Sequence, residues 1–175
     1  DRPHFCNLDF VVAPARRNNL MKPRLLFIGP MIGRNPGQVT TQGEILADRF
    51  AACGYEVLAV SAHPNRYVRL LDIVWTLLTR HHHFDLMLLS IFGGPSFVVE
   101  DLASWLGRLF GLPTIFHLHG GALPDFFARY PNWTRRVLQR AQRFIAPSSY
   151  LTKALAPYGF SGQVIPNMIE LSDYP

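Results

Sequence analysis

Six short apolar runs, each followed by a loop or a longer stretch with helical periodicity, restrict this chain to very few folds. In order they are "RLLFIG" at 24–29, "EVLAVSA" at 56–62, "FDLMLLSI" at 84–91, "PTIFHLH" at 113–119, "RFIAPS" at 143–148 and "GQVIPN" at 162–167. The runs are continuously apolar rather than alternating, so strands made from them are buried on both faces. Between them, residues 39–52, 67–80, 96–110, 132–142 and 150–158 read as helices, with Gly54 as the stop signal of the first. This alternation predicts an α/β fold, a doubly wound parallel sheet of Rossmann-like type. Ligands of such sheets bind at the carboxyl ends of the strands, near the point where strand order reverses. The loop at 29–38 and the corner at 119–121 both follow strand ends and are predicted to share that edge.

At 175 residues the chain has room for one domain with a real core and none for a second full domain. Hydrophobic residues make up 49% and charged residues 17%, which excludes a disordered chain. The formal charge is +5, with arginines gathered between 129 and 143. That balance favours an anionic partner, a phosphate-bearing ligand or a membrane surface as readily as nucleic acid. No apolar run is long enough for a spanning helix, and the first residues lack the order of a signal peptide. Cys6 and Cys53 show neither zinc spacing nor a disulfide framework, so a reducing cytoplasm is the expected compartment. Met21 opens "MKPRLLFIG" directly before the first strand, and residues 1–21 are expected to be a disordered or non-native extension.

The strand ends carry several candidate chemistries. After the first strand the glycines fall at 29, 33 and 37, which is not G-x-G-x-x-G, and no acid ends the second strand to hold a ribose. A dinucleotide site is therefore not expected, and a Walker loop is excluded by the absence of Gly-Lys-Ser/Thr. His117 and His119 are two apart on a strand and share a face. Two metal ligands would fit there, but no third is evident nearby, and His81–His83 read as a solvated helix end. The "HGGA" stretch is like an esterase oxyanion loop, yet there is no G-x-S-x-G nucleophile elbow to use it. What remains is a site built from backbone amides. In "GPMIGRNPGQVTTQGE" glycines let the main chain approach a ligand, the following helix start presents N–H groups, and Thr40 and Thr41 add hydroxyls. The same glycines could equally serve the turn alone.

Taken together, "RLLFIGPMIGRNPGQVTTQGEILADRFAACGYEVLAV", "PTIFHLHGG", "RFIAPSSYLTKAL" and "GQVIPNMIE" resemble the N-terminal domain of a GT-B glycosyltransferase of family 4, over residues 22–170. The resemblance implies a retaining enzyme of two domains that moves a sugar from a nucleotide-sugar donor to a glycan or lipid-linked acceptor. It implies no resident cofactor and no metal, the nucleotide-sugar being a co-substrate. By motif position His119 is the catalytic-site histidine, and Gly37, Gln38, Gly120 and Gly121 are donor-binding. Pro36-Gly37 stands where many members have two glycines, and Met168 where a glycine usually follows Pro-Asn. Residues 171–175 would begin the interdomain linker, with the donor-binding C-terminal domain absent and the chain by itself inactive. The segment "DFFARYPNWTRRVLQR" mixes aromatics with basic residues, and Arg129, Trp133, Arg135 and Arg136 are candidate membrane or acceptor contacts at the inner face of a membrane. No nucleic-acid partner is expected. The reading from another class is a non-catalytic α/β ligand-binding or interaction module.

Overall fold

Strand β1 (Leu25–Ile28) buries all four of its side chains, as its continuously apolar sequence requires of a central strand. A computed structural model describes this strand and the rest of residues 22–33 and 40–167. After β1 come α1 (Gln42–Ala52), β2 (Val57–Val60), α2 (Arg66–Arg80), β3 (Leu86–Ile91) and α3 (Phe97–Leu109). Then follow β4 (Thr114–Leu118), α4 (Leu123–Arg129), α5 (Pro131–Leu138), β5 (Arg143–Ala146), α6 (Ser149–Lys153) and β6 (Gln163–Val164). The strands pair in parallel in the order β2-β1-β3-β4-β5-β6. The chain steps from β1 to one neighbour, β2, and returns across it to the other, β3. That reversal makes the carboxyl ends of β1 and β3 the switch point of the sheet.

Each face of the sheet has its own core. On one face Leu26, Ile28, Met87, Leu89, Phe116 and Leu118 pack against α2, α3, α5 and α6. On the other, Leu25, Phe27, Leu86, Leu88, Ile115 and Ile145 meet Ala47 and Phe50 of α1. The alternation along β1 shows why no polar residue interrupts it: successive side chains enter different cores, and each contributes burial. Outside the apolar layers, Arg24 grips Asp85 through its backbone N–H and its guanidinium, at 2.9–3.3 Å, which ties the start of β1 to the start of β3.

The elements sit where periodicity places them, with three local differences. The first helix starts at Gln42 rather than 39, because Thr41 takes the N-cap position and forms a capping box with Glu44. The helix expected over 132–142 is α5, ending at Leu138, and an additional helix, α4, precedes it, the two breaking at Tyr130 before Pro131. Proline disfavours helical geometry in the residue before it and suits the first turn of the helix it opens. Cys53, at the end of α1, is disulfide-bonded, contrary to what its spacing suggests, while Cys6 lies outside the described residues. Among the described residues no helix is long and apolar enough to cross a membrane.

Helices α3 and α5 are joined by one carboxylate. Asp101 of α3 accepts from Trp133 Nε1 and Arg136, each at 2.6 Å, and from Arg140, whose side chain is nearly buried. Burial works against the charge of Asp101, but the hydrogen bonds from Arg140, Trp133 and Arg136 outweigh it and hold its pKa below the ordinary value. Replacing Asp101 by Ala strands the nearly buried guanidinium of Arg140 and the indole N–H of Trp133. Asp101→Ala should therefore lower stability by about 2–3 kcal/mol in urea unfolding at neutral pH. A loss under about 0.5 kcal/mol would mean that solvent replaces all three bonds.

Candidate functional site

A cleft of about 340 Å³ opens at the carboxyl ends of β1 and β3, at the switch point. Pro30, Met31 and Ile32 follow β1, Ser90 and Phe92 end β3, His119 and Gly120 follow β4, and Thr41, Gln42 and Gly43 bring the start of α1 to the same space. The loop after the first strand and the corner after the fourth therefore share one edge, as the sequence predicts.

The start of α1 is held by Glu44, which is only 2% exposed. Its Oε2 accepts from Thr41 N–H at 2.7 Å, Thr41 Oγ1 at 3.0 Å and Gly33 N–H at 3.1 Å. One carboxylate oxygen thus fastens the loop after β1 to the helix that follows. Gly33 has no alternative there, since a Cβ would lie 2.4 Å from Thr40 Cα and 2.5 Å from Glu44 Oε2. Gly43, in the first turn, leaves the backbone of α1 bare toward the cleft, with Met31 and Ser90 as its neighbours. A helix start carries partial positive charge and attracts anions.

His119 stands just past β4, its N–H bonded to the carbonyl of Ile91 at 2.8 Å. Its ring stacks on Phe92 at 4.9 Å and lies 3.9 Å from the ring of His117. The two histidines do share a face. Burial pushes His119 down to about 4, and burial with the neighbouring His119 pushes His117 down to about 3. Both are neutral at physiological pH, and Nε2 of His119 is buried without a hydrogen-bond partner. Such a nitrogen costs free energy unless a ligand satisfies it.

Behind the cleft lies Glu100 of α3, 4% exposed. Its Oε1 accepts the Phe92 N–H at 2.8 Å, and burial raises its pKa well above the ordinary value against the hydrogen bonds from Phe92 and Ser96. Glu100 therefore fixes the backbone of the residue on which His119 stacks. Among the described residues no group of three His, Cys, Asp or Glu side chains could hold a metal ion.

The predicted donor-side residues divide. His119 and Gly120 line the cleft, Gly120 at a φ of +85° with open space where a Cβ would go. Gly121 is exposed beyond the lining and accepts the Tyr150 hydroxyl on its carbonyl. Gly37 and Gln38 lie outside the described residues. Of the basic-aromatic segment, Trp133 packs inward against Phe97 and Phe126. Arg136 is bound to Asp101, and Arg129 and Arg135 stack over Tyr130 and Tyr158. None of the four lines the cleft. Sequence reasoning missed Phe92, Ser90, Glu44 and Glu100. The T-x-x-E spacing of Thr41 and Glu44 is a legible capping signal, whereas nothing local marks Glu100 as buried.

The histidine pair makes stability depend on pH. These are bases whose folded pKa values lie below the ordinary 6.5, so between about 6.5 and 4 the unfolded chain binds more protons than the folded one. Stability is full above that window and falls as pH drops through it, by up to about 1.4 kcal/mol per pH unit for each histidine. Urea midpoints followed from neutral pH to about pH 5 should fall less steeply for His119→Gln than for the unmodified chain. Parallel slopes would mean that the pair is solvated.

The comparison with family models matches residues 39–173 to one family, described as Glycosyltransferase Family 4. A search of curated proteins returns no match.

Proposed function

The chain belongs to glycosyltransferase family 4, and on that premise we propose that it forms the acceptor-side domain of a retaining glycosyltransferase, its cleft meeting the diphosphate and sugar of a nucleotide-sugar donor. One observation carries the reading. The cleft joins a helix start to a neutral buried imidazole whose Nε2 lacks a partner.

In such a transfer the bond between the anomeric carbon and the terminal phosphate oxygen breaks, and negative charge gathers on the departing diphosphate. The start of α1 is suited to that charge, with a helix-end contribution of about 0.3–2 kcal/mol depending on burial. Gly43 allows close approach to the backbone, and the Glu44 bonds hold the loop so that little ordering is required on binding. His119 plays a different part. A neutral imidazole can exchange one hydrogen bond with a sugar hydroxyl at Nε2 without adding a cation beside the one helix start. Phe92 stacks against its ring and limits rotation. The acceptor, a glycan or a lipid-linked sugar, would approach over the remainder of the cleft. A resident cofactor has no place in this reaction scheme, because the donor itself carries the leaving group.

Calorimetric titration with a set of nucleoside diphosphates and nucleotide sugars tests the reading. Weak binding to the unmodified chain is expected, reduced at least about tenfold by His119→Ala and by Gly43→Val, with unfolding midpoints showing both variants folded. A folded chain that binds none of these compounds, or variants that bind as the parent does, would overturn the assignment of the cleft.

A further inference from the structure

Helices α2 and α3 pack side by side over one face of the sheet, and both are apolar on the side turned away from it. On α2, Ile73 and Leu77 enter the core, while Leu71 and Trp75, each 68% exposed, form the outer crest with Tyr67 and Leu78 beside them. On α3 the crest is made by Val98, Trp105 and Leu109, all exposed. An aromatic side chain carries about 150–250 Å², and an aliphatic one somewhat less, so the exposed parts of these seven come to roughly 700 Å². The largest apolar patch of a monomer is typically about 300–600 Å², and a specific protein interface takes about 800 Å² from each partner. The face is thus of the size that a stable protein contact needs.

The charges at its two borders select the partner. Asp72 lines the apolar patch of α2, and helical spacing puts it on one flank of Trp75, with Val74 and Leu78 on the other. On α3, Asp101 and Arg108 share a flank, and Asp101 is bound by Trp133 and Arg136 of α5. That flank therefore looks toward α5, and the opposite one, with Leu102, toward α2. Each helix crosses from the end of one strand to the start of a parallel one, so α2 and α3 run in the same direction. Parallel neighbours meet through opposite flanks, so α2 turns its Val74 and Leu78 flank to α3. Asp72 then marks the border of the face farthest from α3, and the exposed Arg108 the border farthest from α2. Among the described residues neither side chain has an ion-pair partner.

We propose that the outer faces of α2 and α3 bind a second copy of the chain across a two-fold axis running along the helices. Rotation about that axis lays one apolar crest on the other. It also carries Asp72 of each copy to the border that holds Arg108 of the other, so two equivalent ion pairs close the sides of the contact. An axis across the helices would set Asp72 against its own image, and like charges facing each other oppose that arrangement. The cleft takes no lining residue from either helix and stays open in both copies. The dimer does not depend on what occupies it.

The test is sedimentation velocity of the chain between about 1 and 100 µM, where a dimer should form. Asp72→Arg and Arg108→Asp each place like charges together and should each weaken association at least about tenfold. Mixed in equal amounts, the two variants should pair with each other, because each supplies the charge that the other lost. The double variant Asp72→Arg/Arg108→Asp should associate as the parent does, which a loss of folding would not permit. Leu71→Ser/Trp75→Ser, at exposed positions, should leave a monomer with unchanged circular dichroism. A parent chain that is monomeric at about 100 µM overturns the proposal, whether or not its helices bind lipid vesicles or another protein. Charge variants that associate as the parent does, or that stay monomeric when mixed, overturn it equally.

Discussion

β1 and β3 lie side by side although the chain leaves β1, builds α1 and β2 on the far side, and comes back. Everything at the cleft depends on that reversal. With β2 and β3 on opposite flanks, the connections leaving β1 and β3 diverge to opposite faces, and the space between them is left open. The bonds between Arg24 and Asp85 fix the two strands at their starts, so Ile28 at the end of β1 lies level with Leu89, and β3 runs on two residues further to Ile91. Gly29 then passes so close to Ser90 that a Cβ would meet its Oγ at 2.8 Å. The cleft is a product of strand order before it is a product of any side chain.

Around that opening, two buried carboxylates act on backbone rather than on ligand. Glu44 collects N–H groups from Gly33 and Thr41 on one wall, and Glu100 takes the Phe92 N–H on the other. Each leaves its second oxygen without a partner in the interior, a cost that a purely structural solution would avoid. Among the described residues the other buried side-chain atoms without a partner are Thr134 Oγ1 of α5 and His119 Nε2, and of the four residues His119 alone lines the cleft. Nε2 of His119 is thus the unsatisfied nitrogen that a ligand in the cleft would complete. The two exposed tryptophans of α2 and α3 are the corresponding anomaly on the outer surface, where apolar rather than polar atoms lack partners.

Much of the fold was legible because its signals are local. A strand buried on two faces needs a continuous apolar run, and all six runs became strands, most of them shortened by a residue or two at their ends. Thr41 with Glu44 and Tyr130 with Pro131 shifted helix limits for reasons that lie within four residues, and a closer reading of those spacings would have placed them. The site was legible in part. His119 and Gly120 follow a strand end and could be placed on the right edge, but Phe92 and Ser90 had no motif around them. The basic-aromatic stretch at 125–140 misled in one respect: Trp133 satisfies its indole N–H on Asp101, thirty-two positions away, which no window of neighbouring residues contains.

The sequence by itself determined the class of the fold, the edge of the sheet on which the glycine loop and His119 would lie, and the family to which the chain belongs, since apolar runs, glycines and motif order are properties of neighbouring residues. Tertiary structure alone decided which groups meet: Glu100 behind Phe92, Phe92 against His119, Asp101 between two helices, and Trp75 out in solvent while Trp133 turns in. The physical reason is that burial and pairing depend on the order in which strands assemble. That order brings residues together from positions far apart in the chain, and so it sets which side of each helix is covered and which charges find partners.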